Sequence, residues 1–189
     1  MMISNNLFSL ESKTALVTGG STGLGLMATA GLAAAGAKVF IVSRKLENCE
    51  KAANKINNCN FKGQVVPFKG DLSSEAGISN IVNEFHKKNS ELHVLVNNAG
   101  RTWGSNFGSF PYDAWEKVLN LNVSALFHLT QKLVPLLAAS AEQDSPTRVI
   151  NIGSVMGEVP MGDGAYSYAA SKSAVHHITK ILAKELAEK

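Results

Sequence analysis

Short apolar runs alternate along this chain with segments whose pattern is helical. Strands are predicted at residues 14–20, 37–44, 64–72, 92–100 and 148–154. Helices are predicted at residues 23–35, 45–57, 74–88, 111–139 and from 166 to the end. Strands that are apolar throughout and separated by helices indicate a parallel sheet buried on both faces. Right-handed crossovers then predict a doubly wound α/β sheet.

The length of the chain, 189 residues, is enough for one domain with a sizeable core. No internal repeat and no linker-like segment interrupts the alternation of strands and helices. We therefore predict a single domain over residues 1–189.

Composition excludes several classes of function. The net charge of +3 comes without a basic cluster, which argues against nucleic acid as a partner. No apolar run approaches the ~20 residues needed to cross a bilayer, so we predict no membrane partner. The two cysteines, Cys49 and Cys59, form no metal-type cluster, and the N-terminus lacks a signal-peptide pattern. We expect reduced thiols, a cytoplasmic protein and no metal site.

A glycine-rich turn, TGGSTGLG, joins the first predicted strand to the first predicted helix. At this place a doubly wound sheet holds a dinucleotide, because glycines admit the pyrophosphate to the backbone and the helix N-terminus supplies N–H donors. Gly19, Gly23 and Gly25 have three residues between the first two, unlike the usual G-x-G-x-x-G spacing. An ordinary turn is the alternative.

The end of the second strand reads IVSRK and carries no acid. An acid there would hold a free ribose 2′-hydroxyl, whereas Arg44 can hold a 2′-phosphate through charge-assisted bonds. This favours NADP over NAD, unless Arg44 merely caps the strand end. Asp71, after the third strand, either accepts a bond from the adenine amino group or caps the helix that starts near Ser74.

Near the C-terminus, the stretch YSYAASK places Tyr168 and Lys172 four residues apart, on one face of a helix. This spacing often occurs by chance, and by itself it is more typical of an exposed tyrosine beside a solvated lysine than of a catalytic pair.

Four motifs stand in the order and spacing typical of one family: TGGSTGLG, NNAG (97–100), INIGS (150–154) and YAASK (168–172). With them the whole chain resembles the short-chain dehydrogenase/reductase family, which has a Rossmann fold. Segments such as WEKVLNLNV resemble the bacterial NADPH-dependent 3-oxoacyl reductases, among them the type linked to rhamnolipid biosynthesis.

The resemblance implies four catalytic residues. Tyr168, rather than Tyr166, exchanges a proton with the substrate oxygen, since only Tyr168 has a lysine four residues on. Lys172 lies near the phenol and the nicotinamide ribose and favours the phenolate form. Ser154 donates a hydrogen bond to the same substrate oxygen. Asn122 supports a proton relay through water and the lysine, or else is only a polar residue that bends a helix.

NNAG is expected to form the pocket wall on the adenosine side, and its Asn97 to stabilise the central strands. The complete set of expected cofactor contacts is Gly19, Ser21, Thr22, Gly23, Leu24, Gly25, Arg44, Asp71, Leu72, Asn98, Ala99, Gly100, Tyr168 and Lys172. His128, His176 and His177 match no catalytic position of the family and are expected on helix surfaces.

Three departures from the family matter. The loop VMGEVPMGDGAY between Ser154 and Tyr166 is expected to line the substrate side, but its length and composition name no substrate. Thr22 stands where many NADP-using members carry a basic residue, so Arg44 is the main expected phosphate clamp. The chain also carries five predicted strands, whereas a full doubly wound sheet has about six, so we expect the C-terminal strands and the substrate lid to be missing. In this family the two long helices commonly form the subunit contact, which implies a dimer or tetramer.

Three functions remain open on the sequence. The first is NADPH-dependent reduction of a 3-oxoacyl thioester, and the second is oxidation or reduction of a sugar or another secondary alcohol. The third is an inactive, truncated dinucleotide-binding protein.

Overall fold

The computed structural model describes residues 8–162 and 164–187, which build one five-stranded parallel sheet in the order β3-β2-β1-β4-β5. The strands are β1 (Thr14–Thr18), β2 (Lys38–Ser43), β3 (Gln64–Lys69), β4 (Val94–Asn97) and β5 (Arg148–Asn151). The helices are α1 (Gly23–Ala34), α2 (Leu46–Asn57), α3 (Glu75–Lys88), α4 (Tyr112–Leu119), α5 (Ala125–Ala139) and α6 (Tyr166–Leu186). None of these helices is long and apolar enough to cross a membrane.

The core lies on both faces of the sheet. Alternate residues of one strand point to opposite faces, so Leu16 packs in a cluster with α3 and α5 while Val17 packs with α1 and α2. In the first cluster Phe40 meets Phe85 edge to face, with ring centroids 5.2 Å apart. Burying each such side chain stabilises the fold by about 1.5–3 kcal/mol. The predicted doubly wound sheet is confirmed.

The edge strand β5 differs from the predicted pattern. It was expected to be buried on both faces, but its residues are alternately exposed and half-buried, and Ile150 is 44% exposed. The described helices leave the face of β5 that carries Arg148 and Ile150 exposed, while Val149 and Asn151 on the other face are half-buried.

The long helix predicted over 111–139 is not uniform. A π-helical turn, Asn120–Ser124, separates α4 from α5, and Pro111 is the residue that precedes α4. The extra residue in this turn lets the side chain of Asn122 point into the protein, where it is only 2% exposed.

Every predicted strand ends earlier than expected at its carboxyl end. The chain leaves the sheet at Gly19 after β1 and at Asn98 after β4, the two strands between which the direction of strand order reverses. In doubly wound sheets the crevice outside this switch point is where ligands bind.

Candidate active site

The glycine turn forms the floor of the crevice between β1 and β4. Gly19 has φ +65° and Gly23 has φ +54°, in the left-handed region that favours glycine. A Cβ on Gly25 would lie 2.3 Å from the carbonyl oxygen of Gly19, so no side chain fits there. Thr22 precedes α1 without a side-chain capping bond, which leaves the first N–H groups of the helix free for an anion.

The NNAG segment is tied directly to this turn. The side-chain Nδ2 of Asn98 donates to the carbonyl oxygens of Thr18 (2.9 Å) and Gly19 (3.2 Å). In return, the Thr18 hydroxyl oxygen accepts bonds from the backbone N–H groups of Asn98 (3.0 Å) and Ala99 (2.9 Å). These four bonds fix the distance between the ends of β1 and β4, so the crevice has a rigid floor.

A cavity of about 380 Å³ opens above this floor. Its lining includes many of the residues expected around the cofactor: Gly19, Thr22, Arg44, Asp71, Leu72, Asn98, Ala99 and Gly100. Three expected residues of the turn, Ser21, Gly23 and Leu24, do not line it, and Leu24 is 65% exposed. Gly25 is buried behind the turn, where its lack of a side chain leaves room for the carbonyl oxygen of Gly19.

Two side chains of opposite charge, Arg44 and Asp71, line the cavity. Arg44 is exposed and makes no hydrogen bond or ion pair with the rest of the described chain. Asp71 accepts a 2.9 Å bond from the backbone N–H of Ser73, and this bond, with help from the charge of Arg44, lowers the pKa of its carboxyl group. The guanidinium is thus free to take a second anion.

The capping alternative for Asp71 is wrong. The residue that caps α3 is Ser74, whose hydroxyl oxygen accepts a 3.1 Å bond from the backbone N–H of Gly77. Asp71 instead closes a short turn before the helix, with its carboxylate at the cavity. Its contact with adenine stays a prediction.

Tyr168 and Lys172 lie side by side on α6, and the lysine is not solvated. Lys172 is 6% exposed, its Nζ lies 5.7 Å from the centre of the Tyr168 ring, and it donates a 2.6 Å bond to the carbonyl oxygen of Ile152. Burial lowers the pKa of this ammonium group. The reading of an exposed tyrosine beside a solvated lysine is therefore wrong.

Ser154 follows β5 and starts a single 3-10 turn, Val155–Gly157. Its hydroxyl oxygen accepts a 3.3 Å bond from the backbone N–H of Met156, which leaves the hydroxyl hydrogen free to donate. Lys172 on α6 binds Ile152, which lies two residues before Ser154. This bond holds the end of β5 close to Tyr168.

Asn122 joins three parts of the site. Its Nδ2 donates to the carbonyl oxygen of Arg101 and to the Ser171 hydroxyl, both at 2.9 Å, and its Oδ1 accepts from the backbone N–H of Arg101 at 2.8 Å. The π-helical turn, the segment after β4 and α6 are thereby connected. Both amide protons are used, which leaves one lone pair on Oδ1 for a water.

Three further groups were missed by sequence reasoning. Arg101, Lys117 and Asn120 also line the cavity, and only Arg101, which directly follows NNAG, stood beside a recognised motif. The predicted role of Asn97 extends further than the central strands, because its Nδ2 donates to Asn151, whose own Nδ2 donates to Thr179 on α6.

One expectation about the histidines is wrong. His128 and His177 are exposed on their helices, but the ring of His176 packs against the Ser154 turn. Its Nε2 accepts a 3.3 Å bond from the backbone N–H of Ser154. Within the described residues no group of three or more His, Cys, Asp or Glu side chains is placed to hold a metal ion.

A match to the short chain dehydrogenase family spans residues 13–189, and the four motifs lie at the places described above. The chain belongs to the short-chain dehydrogenase family. It is 47% identical over 179 residues to the rhamnolipids biosynthesis 3-oxoacyl-[acyl-carrier-protein] reductase of Pseudomonas aeruginosa. The aligned region covers 95% of this chain and 69% of that protein. It is also similar to the 5-keto-D-gluconate 5-reductase of Escherichia coli, with 32% identity over 183 residues, 97% of this chain and 69% of that protein.

Among solved structures, the short-chain dehydrogenase fold of this chain is similar to the RhlG/NADP active-site complex of Pseudomonas aeruginosa. The TM-score is 0.91 and the sequence identity 45%, over 97% of this chain and 71% of the other. A metagenomic short-chain oxidoreductase in complex with NADP gives a TM-score of 0.83 at 28% identity, over 95% of this chain and 78% of the other.

Proposed function

We propose that this short-chain dehydrogenase reduces a 3-oxoacyl thioester to the 3-hydroxyacyl form with NADPH. The observation that carries the proposal is the buried Lys172, which lies against Tyr168 and is bonded to the strand end that leads into Ser154. A desolvated ammonium beside a phenol is costly to build and is typical of proton-transfer sites.

NADPH fits the crevice by its chemistry. The free N–H groups at the start of α1 suit the pyrophosphate, and the glycine turn lets it approach the backbone. Arg44 has no hydrogen-bond or ion-pair partner among the residues that the structure describes, and it suits the 2′-phosphate. Both of the solved structures named above are complexes with NADP, which supports the choice of cofactor.

The proton chemistry follows from the contacts of three side chains. When bound, NADPH would supply a hydride for the substrate carbonyl carbon. The Ser154 hydroxyl donates a hydrogen bond to the carbonyl oxygen as negative charge develops there, and the Tyr168 phenol gives that oxygen its proton. Lys172 stabilises the phenolate that remains, because its ammonium lies beside the ring.

The return of a proton to Tyr168 is proposed to pass through Lys172 and a water held at Asn122. The free lone pair on Asn122 Oδ1 and the bond from Asn122 to Ser171, next to Lys172 in α6, support this path.

The rim of the site favours an aliphatic substrate over a sugar. After Ser154 the chain exposes Val155 (64%), Val159 (51%) and Met161 (54%). The segment after β4 faces this loop, since the backbone N–H of Ser105 donates a 3.2 Å bond to the carbonyl oxygen of Gly164. Exposed apolar side chains around a site recognise an acyl chain better than a polyol.

Assembly and location are also proposed. Both cysteines are free, as expected in the reducing cytoplasm. Partly exposed apolar side chains of α5 and α6 line a shallow cavity of about 170 Å³, which supports these helices as the contact in a homodimer or tetramer.

The function is tested by comparing Tyr168→Phe with Tyr166→Phe in the full natural chain. Phenylalanine keeps the ring packing and removes the proton donor, so Tyr168→Phe should lower kcat for a 3-oxoacyl thioester by at least ~100-fold and leave NADPH binding intact. Tyr166→Phe should retain activity, since the contacts of this ring with Phe107 and Phe110 do not need the hydroxyl. Loss of activity in Tyr166→Phe alone, or reduction of keto-sugars but no 3-oxoacyl thioester, would overturn the proposal.

A further inference from the structure

His176 carries a partly buried imidazole that the proposed chemistry does not use. It lies on α6 one turn after Lys172, with 26% of its side chain exposed. Two glycines make room for the ring: a Cβ on Gly153 would lie 2.3 Å from Nε2, and one on Gly157 would lie 2.8 Å from Cε1. The ring therefore occupies the space between the end of β5 and the turn that follows.

The hydrogen bond fixes which ring nitrogen carries the proton. Nε2 accepts from the backbone N–H of Ser154, so the neutral ring has its proton on Nδ1. Nδ1 faces the carboxylate of Glu158, whose Oε1 lies 3.4 Å away. Lys172, one turn earlier on α6, donates from its ammonium to the carbonyl oxygen of Ile152.

Through these contacts, two side chains of α6 form hydrogen bonds with one short segment. Lys172 holds Ile152 by its carbonyl oxygen, and His176 holds Ser154 by its N–H, so Gly153 is fixed between them. Because the Ser154 side chain is bonded, among the described residues, only to the N–H of Met156, the orientation of its hydroxyl depends on the backbone that His176 holds.

We propose that His176 is a positioning residue, which orients Ser154 toward the substrate oxygen through the bond from Ser154 N–H to Nε2. The proposal rests on the proposed function, in which Ser154 is the hydrogen-bond donor. Misplacing such a donor by about 1 Å can cost ~100-fold in rate. Since His176 touches neither the crevice of the glycine turn nor Arg44, cofactor binding should not depend on it.

Kinetics of His176→Leu and His176→Gln in the full natural chain test the proposal. Leucine fills much of the space but accepts no bond, so kcat should fall at least ~10-fold with an unchanged dissociation constant for NADPH. The side-chain carbonyl of glutamine can accept from Ser154 N–H, so His176→Gln should recover most of kcat. The exposed neighbour provides the control, and His177→Leu should behave as the parent.

A double-mutant cycle separates positioning from a general loss of stability. In a Ser154→Ala background the donor is gone, so adding His176→Leu should lower kcat no further. Equal losses in the leucine and glutamine variants, or additive losses in the cycle, would overturn the proposal.

Long-range ¹H–¹⁵N spectra give a readout that needs no turnover. They should show the His176 proton on Nδ1, and the Ser154 amide signal should shift in His176→Leu but much less in His176→Gln. A proton on Nε2 would overturn the inference. If the parent reduces no 3-oxoacyl thioester, the proposed function is wrong, while the tautomer and the amide signal still decide whether His176 holds Ser154.

Discussion

At the scale of single residues, burial decides what a charge does. Lys172 and Arg44 are both cations near the crevice, but Lys172 is 6% exposed and bonded to Ile152, whereas Arg44 is exposed and unpaired in the described chain. The first suits a fixed electrostatic role beside Tyr168, and the second suits capture of a mobile anion.

Arg44→Asp should reverse the cofactor preference. The carboxylate repels a 2′-phosphate and accepts a bond from a free 2′-hydroxyl, whereas a charge-assisted phosphate contact is worth about 1.5–3 kcal/mol. We expect the parent to bind NADPH at least ~10-fold more tightly than NADH, as measured by fluorescence titration. Equal dissociation constants in the parent would contradict the assignment of Arg44.

His93 should make the fold sensitive to acid. It is 9% exposed, and its Nδ1 accepts a 3.0 Å bond from the backbone N–H of Thr14. Burial, with help from Lys13, lowers the pKa of His93 below 6.5, so the unfolded chain binds more protons than the folded one in the interval below pH 6.5. Stability is therefore fully present above that pH and is lost as the pH falls through the interval.

Urea unfolding at pH 7.5 and 5.5 measures this effect. His93→Gln should show a smaller fall in the midpoint between the two pH values than the parent, since glutamine does not titrate. The exposed His177→Gln serves as the control and should keep the parental fall, and a parental fall in His93→Gln would show that another group is responsible.

At the scale of elements, α1 shows how one helix serves the site and the fold with different glycines. Gly25 stands where the helix meets the glycine turn, and Gly31 stands on the exposed face, where a Cβ would meet nothing within 4 Å. Glycine is thus required at position 25, whereas at position 31 it lowers the stability of the helix.

The pair Gly25→Ala and Gly31→Ala tests this difference. In Gly25→Ala the methyl group meets the Gly19 carbonyl at 2.3 Å, so stability should fall by about 1–3 kcal/mol and NADPH binding should weaken. In Gly31→Ala the helix should gain about 0.5–1 kcal/mol with unchanged binding. Urea denaturation and titration measure both, and a neutral Gly25→Ala would show that the turn has room to relax.

At the scale of the whole molecule, side-chain amides hold distant elements together. The chain from Asn97 on β4 through Asn151 on β5 to Thr179 on α6 crosses 82 positions of sequence in two hydrogen bonds of 2.9 Å. It ties the edge strand and α6 to the centre of the sheet, so the end of β5 and the residues of α6 are positioned together.

Self-association is the prediction that belongs to this scale. Ile181 on α6 is 49% exposed, beside the shallow cavity that Leu182 and Leu186 form with α5. If α5 and α6 meet a second copy, Ile181→Lys should shift the sedimentation coefficient toward the monomer without loss of helical content. Met27→Lys, at an apolar position on α1 that is 70% exposed, is the control. A monomeric parent would contradict the proposed assembly.

The sequence by itself determined the order and type of the elements, because hydrophobic periodicity is a local property that each segment carries alone. The glycine turn was also readable, since a positive φ at Gly19 and Gly23 restricts the residue type locally. The family motifs located Ser154, Tyr168 and Lys172, whose roles stay predictions.

Only the tertiary structure decided what meets across the chain. The bond from Ser154 N–H to His176 and the bond from Arg101 N–H to Asn122 each join residues more than 20 positions apart. No local pattern encodes such pairs, and the π-helical turn at Asn122 was likewise not predicted. The exposure of β5 likewise depends on which elements pack over its two faces, and not on its own apolar sequence. Hydrophobic periodicity indicates which face of a helix or strand is buried, whereas packing in the folded chain determines which residues cover that face.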